Sequence, residues 1–411
     1  MEGEGVRRRG KQPKVEEKEV VETKKVHRSV GWLKAALTST FLTFCAIPLI
    51  LMLIPTPIKP EYIRLPQRPE WTDTLRPNKH LQKAKKLFYD KIQGPESLVV
   101  DGDYLYTGTA DGKIMEIYKG ELRVLTRLGQ EPCGRFEDEP TCGRPLGMRM
   151  DKDGYLIVAD AYLGLFKVNV ATGDKTVLWP SSEPINGRRP NFMNDLDIGP
   201  DGTIYVSDSS TKWDRRHNRY CFFEGESSGR LFSYNPTTNT TKELVTGIPF
   251  ANGVTLTRDK SAILLTSATK AAVYRYNLDG PNKGKLEDFN NNLPGIPDNI
   301  RRSAKGGYWV GLAGVRKPDF SLIDLSAANP WIRGIVTKIF SQEMIMKMVP
   351  SYGLVVELNE YGHIVRTLHD PSGKVIPSVS EVEDTGTVLY LGSYNLPFLS
   401  KLYAVDILDV A

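Results

Sequence analysis

A short apolar strand, entered through a turn and left through a small or acidic residue, recurs six times along the chain. Val, Ile, Leu and Tyr dominate these strands, and Gly and Asp separate them, which is typical of β-structure. Four of the five intervals between strand centres are 45 to 59 residues long, which suits a four-stranded blade. The pattern therefore predicts an all-β fold, a six-bladed β-propeller over residues 76–411. The strand centres are Leu105, Leu156, Ile204, Ile263, Tyr308 and Leu389.

The fifth interval is 81 residues long and contains an extra segment at 316–350. Its sequence PWIRGIVTKIFSQEMIMKMV has the apolar spacing of an amphipathic helix, with Lys338 and Lys347 on the polar side. We therefore expect a helical insertion in the propeller. Three interpretations remain open: a helix packed on the propeller rim, a lid over a cavity, or a second contact with a membrane.

Residues 35–54 form a run of 20 residues without a charge, which as a helix is about 30 Å long and spans a bilayer. A buried core helix and a cleaved signal peptide are the alternatives. No small-x-small cleavage site follows the run, and the proline-rich stretch 55–60 comes instead. The sequence favours an uncleaved transmembrane signal anchor at 31–54, followed by a stalk at 55–75.

The residues that flank this run set the expected topology. Lys24, Lys25, Arg28 and Lys34 precede it, and this slight basic excess favours a cytoplasmic N-terminus. Residues 1–30 mix basic and acidic groups with few large apolar side chains, which predicts a disordered cytoplasmic tail. We therefore expect a single-pass type II protein of the plasma membrane or endoplasmic reticulum, with its propeller luminal or extracellular.

Composition, cysteine and glycan signals refine this picture. The net charge of +5 is small for 411 residues and no dense basic stripe is present, so nucleic acid is not an expected partner. Cys133 and Cys142 bracket a polar loop, which suits a local disulfide in an oxidising compartment, with two free thiols as the alternative. Cys221 is then left unpaired. Asn239, in the sequence Asn-Thr-Thr, is a glycosylation candidate.

One position in each repeat lies nine to eleven residues before the strand centre. Equivalent positions in a propeller converge on one axis, and four of the six carry hard oxygen ligands of the kind that Ca²⁺ prefers. The sequence therefore predicts a calcium site, although each Asn or Asp taken alone is also a common turn residue. The six positions are Glu96, Leu146, Asn194, Asn252, Asp298 with Asn299, and Ser380 with Glu381. The predicted calcium ligands are Glu96, Asn194, Asn252, Asp298 and Asn299.

This register resembles that of the calcium-dependent six-bladed propeller hydrolases, such as paraoxonases and gluconolactonase. The stretches 142–147 (CGRPLG), 251–254 (ANGV) and 306–311 (GGYWVG) are also similar to the strictosidine synthase-like family. The resemblance implies hydrolysis of small aryl esters, in which the ion polarises the ester carbonyl and an activated water attacks it.

The departures from these families leave the general base open. Leu146 stands where paraoxonases carry a His, and His217 reads as an exposed loop residue. Asp298 and Glu381 are the candidate catalytic residues. Ser380 stands at the catalytic Glu position of strictosidine synthase, which disfavours alkaloid condensation. The favoured function is a membrane-anchored arylesterase-type hydrolase acting on a small-molecule ester. The alternative is a non-catalytic binding or signalling ectodomain with structural calcium.

Overall fold

The chain forms two compact units, Met1–Thr56 and Pro57–Ala411. The computed structural model describes residues 1, 3, 5, 10 and 16–407. In the first unit one helix, α1, covers Glu16–Leu53. Its segment Val30–Leu51 is long and apolar enough to cross a membrane by length and composition, and none of it is buried in protein. The helix begins at Glu16, inside the segment predicted to be a disordered tail; residues 2, 4, 6–9 and 11–15 lie outside the described residues.

The second unit contains six four-stranded antiparallel sheets, as a six-bladed propeller requires. The first three sheets consist of β2 (Leu98–Asp101), β3 (Tyr104–Gly108), β4 (Lys113–Tyr118) and β5 (Glu121–Arg127); β6 (Pro145–Met150), β7 (Tyr155–Asp160), β8 (Gly164–Asn169) and β9 (Lys175–Pro180); and β10 (Met193–Ile198), β11 (Ile204–Asp208), β12 (Gly229–Asn235) and β13 (Thr240–Ile248). The fourth and fifth consist of β14 (Ala251–Leu256), β15 (Ala262–Ser267), β16 (Ala272–Asn277) and β17 (Leu286–Asn290); and β18 (Gly295–Arg302), β19 (Tyr308–Val315), β20 (Gly353–Leu358) and β21 (Ile364–Asp370).

The sixth sheet closes the ring by combining the two ends of the propeller unit. Its order is β1, β24, β23, β22, so the outer strand comes from the N-terminal side and the other three from the C-terminal side. A sheet built this way holds the first and last blades together through backbone hydrogen bonds. The bounds are β1 (Lys85–Leu87), β22 (Glu381–Asp384), β23 (Val388–Gly392) and β24 (Leu399–Tyr403).

Burial decreases from the inner strands of each blade to the outer strands. All six residues of β14 and all six of β15 are buried, whereas β17 is partly or fully exposed along its length. Apolar side chains from adjacent sheets interlock between the blades, as in the cluster that joins Leu231 of the third sheet to Val254 and Leu265 of the fourth. The inner strands are therefore the rigid scaffold that places side chains at the hub.

The segment 316–350 lies between β19 and β20 of the fifth sheet and contains three short helices rather than one long one. They are α4 (Leu322–Ala328), α5 (Pro330–Ile339) and α6 (Gln342–Met348), and they follow α2 (Glu139–Cys142) and α3 (Asn218–Glu224) in the chain. Pro330 starts α5, and Ser341 caps α6 by accepting a hydrogen bond from the Met344 N–H. Phe340 and Ser341 are extended, which breaks the predicted continuous helix.

Cys133 and Cys142 form a disulfide with a Cα–Cα distance of 5.3 Å, which confirms the sequence prediction. Cys221 is a free, buried thiol, and burial raises its pKa. Asn239 is exposed, and its side-chain oxygen accepts a hydrogen bond from the Tyr234 hydroxyl. Exposure is compatible with the predicted glycosylation, which stays a prediction.

Candidate metal centre

The innermost strand of each blade brings one predicted ring position to the hub. Neighbouring blades approach closely there: a Cβ on Gly253 would lie 2.6 Å from the Asp298 carbonyl oxygen. The amide of Asn252 donates to Asp298 Oδ1 at 2.8 Å, across 46 residues of sequence. The amide of Asn299 donates to Glu381 Oε2 at 3.1 Å. The structure therefore brings the predicted positions of successive blades together.

The five predicted ligands, Glu96, Asn194, Asn252, Asp298 and Asn299, are referred to below as the oxygen ring. All five are buried, with at most 5% of each residue exposed. Each amide nitrogen is held by a neighbour, and Asn194 Nδ2 donates to Ser209 Oγ at 2.9 Å. Within the described residues, the amide oxygens of Asn194, Asn252 and Asn299 have no hydrogen-bond partner.

Three buried, unpartnered carbonyl oxygens at one hub are costly, because each forfeits its hydrogen bonds to water. Fixing the –NH₂ group of an amide directs its oxygen to the opposite side, so the ring presents oxygen donors without protons. A cation that prefers oxygen ligands satisfies such a set. The donors of the oxygen ring therefore fit Ca²⁺.

The two carboxylates of the ring increase this cost. Burial raises the pKa of Glu96, and the ion pair with Arg144 at 3.4 Å only partly opposes this. Burial and the charge of Glu96 raise the pKa of Asp298 well above its usual range. Two like charges in a buried site disfavour joint ionisation. A divalent cation reverses this preference, because it neutralises both charges.

In the described part of the chain, no group of three or more His, Cys, Asp or Glu residues could hold a metal ion. The oxygen ring has only two carboxylates, and its other donors are amides. Amide oxygens are ordinary calcium ligands, so a site of two carboxylates and three amides is suited to Ca²⁺ although it is not a cluster of acidic residues.

Leu146 fills the ring position of the second blade without offering a ligand. It is 1% exposed and packs in an apolar cluster with Phe192, Phe250 and Cys221. This cluster forms an apolar wall beside the hub. An imidazole is absent at this position, as the sequence shows.

A second group of hub residues, referred to below as the arginine clasp, consists of Ser97, Asp195, Arg301 and Glu381. Arg301 donates to both oxygens of Asp195, at 2.6 and 2.9 Å, and also pairs with Glu381. Burial opposes the charge of Arg301, but the two carboxylates raise its pKa. The clasp thus joins four blades through one guanidinium, which suits bidentate pairing.

The predicted catalytic residue Glu381 is fully occupied by this clasp. Its oxygens accept hydrogen bonds from Ser97 Oγ, from the Leu98 N–H at 2.7 Å and from Asn299 Nδ2, in addition to the Arg301 pair. Such a carboxylate orients its neighbours and has no free oxygen to receive a proton from water. The structure therefore supports a positioning role for Glu381 instead of the predicted base role.

Sequence reasoning missed several charged groups around the oxygen ring. Arg144 is fully buried and donates to the carbonyl oxygens of Gly94 and Tyr394, both at 3.0 Å. Arg215 pairs with Glu139, which also accepts a 2.7 Å hydrogen bond from Tyr162. Arg144 could have been found from its position two residues before the ring position Leu146. Arg215 lies in a loop outside the repeat, and no sequence signal placed it there.

His217 is held by Asp214, with 2.6 Å between its Nδ1 and Asp214 Oδ1. The imidazole is half-buried and packs against Trp213 and Tyr220. The structure shows no hydrogen bond from this imidazole to a member of the oxygen ring among the described contacts.

Comparison with known proteins agrees with this architecture. Family models described as strictosidine synthase and as strictosidine synthase-like, N-terminal, match residues 194–281 and 74–117. The adipocyte plasma membrane-associated protein of Salmo salar is 45% identical over 361 residues, which cover 87% of this chain and 87% of that protein.

Two solved structures show the same fold. A gluconolactonase of Xanthomonas campestris matches with a TM-score of 0.54 at 14% identity, covering 85% of this chain and 96% of that one. A calcium-binding regucalcin of Agrobacterium tumefaciens matches with a TM-score of 0.50 at 13% identity, covering 77% and 92%. On the strength of the close relative, this chain belongs to the family of adipocyte plasma membrane-associated proteins, with strictosidine synthase-like sequence and a six-bladed propeller fold.

Proposed function

We propose that this protein is a membrane-anchored, calcium-dependent hydrolase that cleaves small aryl esters. The observation that supports the proposal is the oxygen ring, in which three buried amide oxygens lack partners next to two buried carboxylates. Related propellers are named for gluconolactonase activity and for calcium binding. Glu96, Asn194, Asn252, Asp298 and Asn299 would hold the ion.

When bound, Ca²⁺ supplies a Lewis acid that polarises an ester carbonyl and stabilises the oxyanion. The residues of this chain set up the rest of the reaction. Asn252 holds Asp298 through one carboxylate oxygen, and Asp298 is our candidate for the group that takes a proton from the attacking water. The water oxygen bonds to the acyl carbon, the bond to the aryl oxygen breaks, and the proton passes to the departing aryloxide.

The surroundings suit an uncharged aromatic substrate. Leu146, Phe192 and Phe250 form an apolar cluster beside the hub. Tyr394 lies close enough to Asp298 and Glu96 to interact electrostatically with both carboxylates. Burial raises the pKa of Tyr394, so this phenol stays protonated as a hydrogen-bond donor. The clasp residue Glu381 positions Asn299 by accepting a hydrogen bond from its amide nitrogen.

The anchor and its orientation form part of the proposal. The apolar segment Val30–Leu51 and the membrane-associated name of the close relative support membrane attachment. The disulfide between Cys133 and Cys142 favours an oxidising compartment for the propeller. We therefore propose a type II topology with the propeller in the lumen or outside the cell.

Hydrolysis of phenyl acetate by the full-length chain in detergent tests this function. We expect turnover that is lost with a chelator and restored by calcium. Asn252→Ala should abolish the calcium response, because it removes a ring oxygen, whereas Asn252→Asp should keep it. Asn282→Ala, at a partly exposed turn position, is the matched control. Turnover that persists through chelation and through Asn252→Ala would refute the calcium-centred mechanism.

The second candidate function is a non-catalytic binding ectodomain with structural calcium. Leu146 and the fully bonded Glu381 favour it, since neither supplies a base at the hub. In that case the chelator lowers the unfolding temperature of the protein while phenyl acetate turnover is absent with and without calcium.

A further inference from the structure

Exposed apolar side chains concentrate in the helical insertion. In the described residues from 57 to 407, eight of the 18 exposed large apolar side chains lie between Phe320 and Val349. This segment is less than a tenth of the propeller unit, so scattered surface exposure does not explain the cluster. The eight are Phe320, Leu322, Leu325, Trp331, Ile339, Met344, Met348 and Val349.

Helix α5 is turned with its polar face inward. Arg333 and Thr337 are buried, with 1% and 5% of each exposed, whereas Trp331 and Ile339 are 63% and 49% exposed. The guanidinium of Arg333 is satisfied by carbonyl oxygens, including those of Ser326 at 2.9 Å and Phe223 at 2.7 Å. In an ordinary surface helix the apolar face packs on the core. The apolar face of α5 is thus available to an environment outside the protein.

The chain enters the propeller beside this helix. Ile58 is buried, and the Glu61 N–H donates to the Glu224 carbonyl at 2.8 Å. The Glu61 carbonyl accepts a hydrogen bond from Arg333 of α5. Six residues lie between Leu51, the end of the candidate span, and Ile58, and the seven steps from one Cα atom to the next span at most about 25 Å. The covalent connection therefore keeps the insertion close to the surface of the membrane that holds the anchor.

We propose that the exposed apolar surface of α4, α5 and α6 lies in the interface of the same bilayer, as a second membrane contact. This rests on the membrane anchoring proposed above. Residues 316–350 contain five basic and three acidic side chains, a net charge of only +2, and Lys347 pairs with Glu343 at 2.8 Å. Apolar burial, and not attraction to anionic lipid, is therefore the driving force.

Cleavage of the anchor tests this contact. Full-length protein carrying a protease site within 55–57 is reconstituted in phosphatidylcholine vesicles, cleaved, and separated by flotation. We expect the released propeller to stay on the vesicles, and the triple variant Trp331→Ser, Ile339→Ser, Met348→Ser to partition about tenfold less. The matched control is Val177→Ser, Tyr361→Ser, Val365→Ser, which changes three comparably exposed side chains outside the insertion and should stay bound.

Four results would overturn the proposal. The wild-type propeller could leave the vesicles completely, or the triple variant could be retained as well as the wild type. A dimer of uncleaved protein in detergent that the triple variant converts to a monomer would assign the surface to a second copy of the chain. Retention only on vesicles with added phosphatidylserine would contradict the apolar driving force. All three side chains are exposed, so we expect the triple variant to fold. If the unfolding temperature of the triple variant falls, the single variant Trp331→Ser is used in its place.

Discussion

The oxygen ring and the arginine clasp occupy one hub, yet they satisfy their polar groups in opposite ways. Both contain two buried carboxylates, Glu96 and Asp298 in the ring and Asp195 and Glu381 in the clasp. In the clasp the Arg301 guanidinium pairs with both carboxylates, and every carboxylate oxygen has a hydrogen-bond donor from the chain. In the ring three amide oxygens are left without partners.

The two groups differ in whether the chain itself supplies a partner for every buried polar atom. The clasp is complete within the folded chain, whereas the amide oxygens of the ring lack a partner until a cation binds. A buried ion pair with complete hydrogen bonding holds its geometry without a metal. The oxygen ring lies directly beside it, and its own members are held by hydrogen bonds such as those from Asn299 to Glu381 and from Asn252 to Asp298. We therefore expect the ring to be preformed in the metal-free protein, and calcium to bind without large rearrangement.

Removing a carboxylate from the oxygen ring should have the largest effect on calcium binding. Asp298→Asn keeps the shape of the side chain and removes one of two carboxylates, so we expect calcium affinity to fall more than about 100-fold and phenyl acetate turnover to fall with it. Isothermal titration calorimetry and turnover at saturating calcium measure the two effects. The control Asp319→Asn changes an exposed carboxylate of the insertion. Unchanged affinity in Asp298→Asn would remove Asp298 from the ligand set.

Removing the guanidinium should affect folding instead of metal chemistry. Arg301→Met leaves Asp195 and Glu381 buried without their cation, and we expect the free energy of unfolding to fall by about 3–5 kcal/mol. Because the clasp uses no metal, the loss should be equal with and without calcium in urea denaturation. Arg258→Met, at an exposed pair with Glu360, should cost no more than about 1 kcal/mol. A loss that calcium rescues would show that the two groups are not independent.

The oxygen ring could be predicted from the sequence, whereas the arginine clasp could not. The ring was predictable because each member lies at the same offset in its repeat, and equivalent positions of blades meet at the axis. The clasp was not, because Arg301 lies three residues after Asp298 in a strand where a charged residue ordinarily faces solvent. Its two partners come from blades about 80 to 106 residues away in sequence, and repeat spacing carries no information on such a pairing.

The insertion shows a second limit of the sequence. Its apolar spacing predicted an amphipathic helix, but the spacing alone does not say which face meets the protein. In the structure the buried face of α5 carries Arg333 and Thr337, because backbone carbonyls of the adjacent α3 and stalk satisfy that arginine. Only tertiary contacts could reveal this orientation.

Variants of the ring and of the clasp should differ in how much stability they lose on chelation. Calcium at 100 times its dissociation constant stabilises the folded state by about 2.7 kcal/mol, and a chelator removes this. The Asn252→Ala variant should lose much less on chelation, because it already lacks one of the ring oxygens. Arg301→Met should keep the full chelation effect. Differential scanning calorimetry with and without chelator measures all three, and an equal effect in Asn252→Ala would place the stabilising ion elsewhere.

Acid should reduce the stability that is lost on chelation, because protons and calcium compete for the carboxylates of the ring. Burial raises the pKa of both Glu96 and Asp298, so without metal the folded protein takes up protons there more readily than the unfolded chain does. The metal-free protein therefore gains stability as pH falls through these raised pKa values, by about 1.4 kcal/mol per pH unit for each proton. Calcium competes with those protons and binds more weakly at the same pH. The difference in unfolding free energy between calcium-loaded and chelated protein should then shrink on acidification, whereas in Asp298→Asn it should be small at every pH. If the wild-type difference grew as pH fell, the carboxylates of the ring would not be the groups that compete with the ion.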